Sequence, residues 1–298
     1  MIAIHEKQKK ILSQSLELKR LSHAYIFNGE IGTGKSTVVE WFSEKLRDEV
    51  EHLWDFQCWQ IYPEYPKGGG RGSIKVGQIE RIKEKTDLKL SENGYQLVVI
   101  HEAELMNFTA QDALLKVLEE PRNRTIFILL VKAPYLLRET IKSRCQLINF
   151  APLNFRQSIE WLTGLGLENE KATMIALIGQ GRVDIMSELK NNLVVFEDKL
   201  KQWQEFQKIQ DSPLYQRFNL IEKISQDREK TDQFLSQWLI YLRSIIMIKS
   251  FNVETNLGIS TKADFLTIVQ MAEKIDMIEN LFKNVSLNKK LALEQALI

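Results

Sequence analysis

Hydrophobic and polar positions follow two rhythms along this chain, and the change between them divides it. Near-continuous apolar runs stand at Ala24-Tyr25-Ile26-Phe27, Tyr95-Gln96-Leu97-Val98-Val99-Ile100, Thr125-Ile126-Phe127-Ile128-Leu129-Leu130-Val131 and Leu147-Ile148-Asn149-Phe150. Runs this short and this apolar predict strands buried on both faces. Before and between them the spacing is helical: apolar Ile11, Leu12, Leu16 and Leu18 among lysines over 5–20, and Ile79, Ile82 and Lys85 over 76–88. A further helix carries Ala113, Leu114, Val117 and Leu118 on one face, with Thr109 as its expected cap and Pro121 as its stop. Strands alternating with helices predict an α/β domain whose parallel sheet is covered on both faces.

Beyond Pro152 only helical patterns continue, over 155–162, 171–178, 184–189 and 193–210, with a break at Asp211-Ser212-Pro213. The last part is again helical, with Phe234, Leu235, Trp238, Leu239 and Leu242 on one face. The expected organisation is therefore 1–151, an α/β domain, 152–210, a small helical domain, and 211–298, a helical bundle. Residues 51–72 fit neither rhythm: Trp54, Phe56, Trp59, Tyr62 and Tyr65 lead into Pro66-Lys67-Gly68-Gly69-Gly70-Arg71-Gly72. We read 66–72 as a mobile loop and the aromatics before it as packing beneath a long loop, with base stacking as the alternative.

The chemistry begins at Gly29-Glu30-Ile31-Gly32-Thr33-Gly34-Lys35-Ser36, which fits the phosphate-loop pattern G-x-x-x-x-G-K-[ST]. A strand precedes it and Thr37-Val38-Val39-Glu40-Trp41-Phe42 opens a helix after it, which is the context the motif requires. Glycines let backbone N–H groups turn inward around phosphate oxygens, and the helix N-terminus adds partial positive charge. The expected phosphate contacts are Gly29, Gly32, Thr33, Gly34, Lys35, Ser36 and Thr37, with the Ser36 hydroxyl offered to Mg²⁺ carried by ATP.

Composition narrows the class. At 298 residues the chain is long enough for two or three domains, and 44% hydrophobic with 27% charged residues is ordinary globular usage. A net charge of +1 means that any contact with nucleic acid is local rather than driven by a global basic field. Two cysteines, Cys58 and Cys145, suit a reducing compartment and are too few for a structural zinc site. The polar N-terminus has no signal-peptide core, and the apolar stretch over 238–248 is too short to span a bilayer, so we expect a cytoplasmic chain with no membrane partner.

Three further motifs carry a resemblance. Val98-Val99-Ile100-His101-Glu102-Ala103-Glu104-Leu105-Met106 is an apolar strand ending in acidic residues, in the place of the second nucleotide motif. Asp112-Ala113-Leu114-Leu115-Lys116-Val117-Leu118-Glu119-Glu120-Pro121 and Thr140-Ile141-Lys142-Ser143-Arg144-Cys145 follow it. With Asn288-Lys289-Lys290-Leu291-Ala292-Leu293-Glu294 near the end, the chain resembles the bacterial AAA+ clamp-loader family, and within it the delta-prime subunits of DNA polymerase III. The likeness is strongest over 23–145 and weak in the helical remainder.

That resemblance implies an AAA+ P-loop core, a small helical lid and an all-α collar that holds a hetero-pentameric ring. It implies partners: the other clamp-loader subunits, the sliding clamp and the backbone of primer–template DNA. It also implies that Arg144 is an arginine finger for a neighbouring subunit's ATP, the other reading being a cation that satisfies helix-end carbonyls. Arg182, in Gly179-Gln180-Gly181-Arg182, resembles the family's second sensor.

Three departures from the family pattern stand out. Where the second motif begins with a magnesium-holding aspartate, this chain has His101, and imidazole is a poor ligand for hard Mg²⁺. We expect His101 to be a strand-end residue hydrogen-bonded to the loop. Glu102 stands where the water-activating glutamate belongs, and Glu104 is an alternative that could reach the metal, although its spacing is not that of the missing aspartate. At the first-sensor position stands Val131-Lys132-Ala133-Pro134, where Lys132 is either a phosphate contact or an exposed lysine. The zinc module of many relatives is absent, because only Cys58 lies between the two motifs.

These departures favour an assembly subunit with little hydrolysis of its own over an active gamma/tau-like motor ATPase. A small-molecule kinase would leave Ser143-Arg144-Cys145 and the helical C-terminal part unexplained. Lys116, Arg122 and Arg124 are candidates for DNA-backbone contact, against the plainer reading of solvated charges.

Overall fold

The computed structural model describes residues 5–50, 52, 55–66, 72–86, 94–121, 124–251, 264–284, 290–291 and 293–294. Trp54, the glycine run 67–71, Leu88, Arg122, Asn288, Lys289 and Ala292 lie outside the described residues. In chain order the elements are α1 (Glu6–Glu17), β1 (Ala24–Asn28), α2 (Lys35–Asp48), β2 (Phe56–Ile61), α3 (Val76–Thr86), β3 (Tyr95–Ile100), α4 (Phe108–Glu119), β4 (Thr125–Val131), α5 (Glu139–Lys142) and β5 (Gln146–Asn149). All-helical chain follows: α6 (Phe155–Gly164), α7 (Asn169–Gly179), α8 (Val183–Asn191), α9 (Leu193–Asp211), α10 (Leu214–Ile224), α11 (Arg228–Phe251) and α12 (Phe265–Asn284).

The five strands form one parallel sheet in the order β2-β3-β4-β1-β5. Because side chains alternate along a strand, each apolar run feeds two cores. Tyr25, Phe27, Leu97, Val99, Ile128 and Leu130 pack with Leu12 and Leu16 of α1 and Val38, Phe42 and Leu46 of α2. Ala24, Ile26, Val98, Ile100, Phe127 and Leu129 pack on the opposite face with Ile79 and Ile82 of α3 and Leu114 and Leu118 of α4. Burying each large aliphatic or aromatic side chain contributes about 1.5–3 kcal/mol, so this two-sided burial dominates the stability of the sheet.

Four local expectations change. Phe56–Ile61, where no strand is expected, is an edge strand paired with β3 from Phe56↔Tyr95 to Ile61↔Ile100. Tyr62 and Tyr65, expected to pack beneath a long loop, are instead mostly exposed. Thr109 is not the cap of α4: the Asn107 side chain accepts from the Ala110 N–H at 2.8 Å, and the Thr109 hydroxyl donates to Asn107 Oδ1 at 2.9 Å. Leu18 falls just past the end of α1 and is exposed, so α1 docks through Leu12 and Leu16.

The chain forms two compact units, residues 2–152 with 182–184, and residues 153–181 with 185–298. In the second, α6 packs on α7 and α7 on α11. Ser244 donates its hydroxyl to the Leu177 carbonyl at 2.9 Å, and Gln180 Nε2 donates to the Ile240 carbonyl at 3.0 Å. Helices α9 and α11 share an aromatic cluster of Trp203, Phe206, Phe234, Trp238 and Tyr241, with neighbouring ring centroids 5.0–5.9 Å apart. Among the described residues, no helix is long and apolar enough to cross a membrane.

Candidate nucleotide site at the strand ends

The site is built where β1, β3 and β4 end side by side. After β1 the Gly29 N–H donates to the Val131 carbonyl at 3.0 Å, tying the phosphate loop to the end of β4. A Cβ on Gly29 would stand 2.3 Å from the Phe150 carbonyl oxygen, so no side chain fits there. Gly32 and Gly34 have φ of 84° and 85°, the left-handed conformation that glycine adopts without strain. Gly34 is the N-cap of α2 and has no side chain to satisfy the first N–H groups of the helix, which are free to meet an anion.

The loop is braced from three sides. His5 Nε2 donates to the Thr33 carbonyl at 2.5 Å, the Thr33 hydroxyl donates to the Glu30 carbonyl at 2.8 Å, and the Asp184 N–H donates to the Gly32 carbonyl at 2.9 Å. Lys35 folds back, its ammonium donating to the Gly29 carbonyl at 2.5 Å and the Glu30 carbonyl at 2.7 Å. Burial pulls the Lys35 pKa below its ordinary value, opposed by the nearby charges of Glu104, Asp184 and Glu30. An anion in the loop would give that ammonium a better partner than two carbonyls.

A cleft of about 270 Å³ opens over the loop, lined by Gly32, Lys35, Ser36, Tyr62, His101, Glu102, Glu104, Lys132 and Asp184 among others. The structure therefore brings together the loop, the second-motif residues and Lys132. Gly29, Thr33, Gly34 and Thr37 frame the loop without lining the cleft, and Thr37 instead donates its hydroxyl to Asp184 Oδ1 at 3.5 Å. Arg182 is half-buried two residues before Asp184, and it is Asp184 that lines the cleft.

The second-motif residues are engaged by the insert. His101 stacks on Tyr62, with ring centroids 4.2 Å apart and planes 15° from parallel, and its Nε2 lies 3.0 Å from Gln60 Oε1 of β2. Burial lowers the His101 pKa, opposed by Glu102, so the ring is the more firmly neutral. Glu102 is left-handed at φ 47°, and its carboxylate accepts from the Tyr65 hydroxyl at 2.7 Å. The Tyr65 ring lies where a Cβ on Gly72 would stand, and Glu64 and Ser73 close the insert with two backbone hydrogen bonds at 2.9 and 3.0 Å.

Glu104 behaves differently. It is 4% exposed, its Oε1 accepts from the Lys132 N–H at 3.2 Å, and its buried Oε2 has no hydrogen-bond partner. By spacing alone it is only the alternative ligand for the metal. The left-handed Glu102 and the 3-10 turn Ala103–Leu105 curl the chain so that Glu104 is among the residues lining the cleft. A lysine, a serine hydroxyl and a buried carboxylate oxygen lacking a donor are a donor set that fits a phosphate with its hard cation.

Arg144 does not line this cleft. It follows α5, where its Nη1 donates to the Thr140 carbonyl and its Nη2 to Glu119 Oε1, both at 3.0 Å, with the side chain 36% exposed. The intermediate Cys145 thiol is pushed up to about 12 by burial, which makes it an inert packing residue. Lys116 lines a separate groove with Lys83, between α3 and α4, and the Arg124 guanidinium lies 5.3 Å from the centroid of Tyr95.

Sequence reasoning missed His5, Asp184 and the active role of Tyr62 and Tyr65. The tyrosines were visible as an aromatic cluster, but nothing local told which residues they would cover. His5 and Asp184 reach the loop only through tertiary packing.

A family model described as "DNA polymerase III, delta subunit" matches residues 4–154. A delta-prime subunit of DNA polymerase III from Bacillus subtilis is 34% identical over 162 residues, covering 51% of this chain and 49% of that protein. The tau subunit from the same organism is also 34% identical, over 153 residues, 47% of this chain and 27% of that protein. The chain thus spans about half the length of the delta-prime relative it matches. A gamma subunit-related DNA polymerase III protein from Thermotoga maritima shares the fold at a TM-score of 0.51 and 18% identity, over 99% of this chain and 97% of that one. With its matched region covering the sheet, the phosphate loop and the Ser143-Arg144-Cys145 segment, the chain belongs to the DNA polymerase III, delta subunit, family of AAA+ clamp-loader proteins.

Proposed function

We propose that this chain is the delta-prime-type subunit of a bacterial clamp loader, a stator that binds ATP with Mg²⁺ and turns it over poorly while lending Arg144 to a neighbour. The observation that carries this reading is the division of labour between the two positions. Its own cleft has a histidine at the aspartate position and a glutamate whose carboxylate is already held by Tyr65, whereas Arg144 stands half-exposed outside that cleft. A guanidinium that reaches a partner's phosphates neutralises charge as it develops on the transferred group, and makes turnover depend on assembly.

When bound, ATP with Mg²⁺ supplies the transferable phosphoryl group and the charge that screens it. This chain's residues do the rest: Lys35 pairs with phosphate oxygens after leaving the Gly29 and Glu30 carbonyls, Ser36 offers its hydroxyl, and Glu102 orients water only after Tyr65 releases it. In this reading 152–210 is a lid and 211–298 a collar, the partners are the other loader subunits in a pentameric ring, the sliding clamp and primer–template DNA, and the place of action is the cytoplasm. Lys116 is then a backbone-phosphate contact within the ring. A second reading, an active gamma/tau-like motor, is supported by the intact loop and the 34% identity to a tau subunit.

DNA-stimulated ATP turnover in a loader reconstituted with its motor subunits separates them. Arg144→Ala is expected to slow turnover about tenfold or more, since arginine fingers contribute at least that much, while Lys35→Ala has little effect. Equal losses from the two variants would make the chain a motor. No loss from Arg144→Ala would remove the finger assignment.

A further inference from the structure

We propose that Glu104 is the carboxylate that holds Mg²⁺ at the phosphate loop, filling the role that His101 cannot. The inference rests on the nucleotide-binding reading of the loop and adds to it the residue that receives the metal.

The cleft offers three carboxylates, and two are already occupied or exposed. Glu102 accepts from Tyr65, and Asp184 sits at the surface within hydrogen-bond reach of Thr37. Glu104 is almost wholly buried, and only one of its oxygens is satisfied, by the Lys132 N–H. The other oxygen is sealed from water and has no donor. A buried carboxylate oxygen without a donor is costly to keep, and proteins retain such groups where a ligand completes them. The Lys35 ammonium offsets part of the charge, for Glu104 is the foremost of the carboxylates acting on it.

The ligand chemistry follows from the same atoms. Mg²⁺ prefers oxygen, keeps several of its waters, and in nucleotide sites takes one or two protein carboxylates beside the phosphates. One free carboxylate oxygen and the Ser36 hydroxyl match that demand, whereas the His101 ring offers a nitrogen and is already stacked on Tyr62. The Glu104 Oε1 hydrogen bond to the end of β4 holds the carboxyl group in orientation, as outer partners of metal ligands commonly do.

The test is ATP affinity of the full chain, measured by titration calorimetry with Mg²⁺ and again with EDTA. The quantity read is the ratio of the two Kd values, which isolates the metal from the phosphates. Glu104→Gln is expected to cut that ratio about tenfold or more, because it keeps the acceptor for Lys132 and loses the charge. Adding His101→Asp to that variant is expected to restore the ratio, because it returns a carboxylate to the usual place. Glu104→Asp, which keeps the charge at shorter reach, guards against a folding artefact, and it too is expected to lower the ratio while the melting midpoint holds.

A Glu104→Gln chain that keeps the wild-type ratio overturns the assignment, including the case in which ATP binds more tightly under both conditions, where Glu104 is only a repelling charge. Wild-type binding that is indifferent to Mg²⁺ overturns it too, while leaving the nucleotide reading intact. No ATP binding by the wild-type chain under either condition overturns both.

Discussion

His5 shows how much one residue outside a motif governs it. Its ring is buried, donates to the Thr33 carbonyl and packs edge-on against Phe150 at 4.9 Å, so it closes the underside of the phosphate loop. Burial pulls its pKa below the ordinary 6.5, opposed by the bond to Thr33 and by Asp184, with Lys9 adding to the lowering. A histidine whose folded pKa is depressed binds fewer protons folded than unfolded. Its contribution is therefore whole above 6.5 and is lost as pH falls through that value toward the folded pKa. His101, also lowered by burial, acts with the same sign. The melting midpoint is expected to drop when pH is taken from about 7.5 to about 5.5, and His5→Gln, which keeps a donor but does not titrate, to flatten that drop. An unchanged slope in the variant would show that burial does not depress the titration of His5 in the folded chain.

At the scale of elements, α4 illustrates how two plausible caps are told apart. Asn107 and Thr109 are both good capping residues by type, and the pattern of apolar positions is compatible with either. The structure chooses Asn107 because the helix opens at Phe108, whose exposed ring sits beside the Arg138 guanidinium at 5.4 Å while Ala110 turns into the core. Asn107→Ala is expected to cost about 1 kcal/mol in urea denaturation and Thr109→Ala only a few tenths, the usual worth of a cap and of an exposed position. A reversed order would return the cap to Thr109. Strand β2 was hidden for a different reason. Phe56-Gln57-Cys58-Trp59-Gln60-Ile61 is an edge strand, half-polar by position and joined to a glycine-rich insert, and no apolar run distinguishes it from loop until β3 supplies its partner.

At the scale of the whole molecule, the two-faced sheet core and the helical aromatic cluster belong to different compact units. Trp238 is 1% exposed at the centre of the aromatic cluster, touching Phe206, Phe234 and Tyr241. Trp238→Ala is expected to cost about 3–5 kcal/mol, with hydrogen–deuterium exchange rising in α7, α9 and α11 and much less in the parallel sheet. Uniform loss of protection in both units would mean that the two cores fold as one.

The sequence by itself determined the parallel sheet, the phosphate loop and the switch to helices after Pro152. These rest on local patterns: short near-continuous apolar runs, glycines at fixed offsets, and a proline that ends a rhythm. It also determined the chemistry present at each position, including the histidine where an aspartate is usual. Tertiary structure decided which of those groups meet. Tyr65 over Glu102 and His5 under Thr33 join residues 37 and 28 positions apart, and the placing of Glu104 at the cleft turns on one left-handed residue. Periodicity reports which face of an element is buried, but not what covers that face. The cover is set by packing at a distance, and here it determines that the Glu102 carboxylate meets a tyrosine while one Glu104 oxygen is buried without a donor.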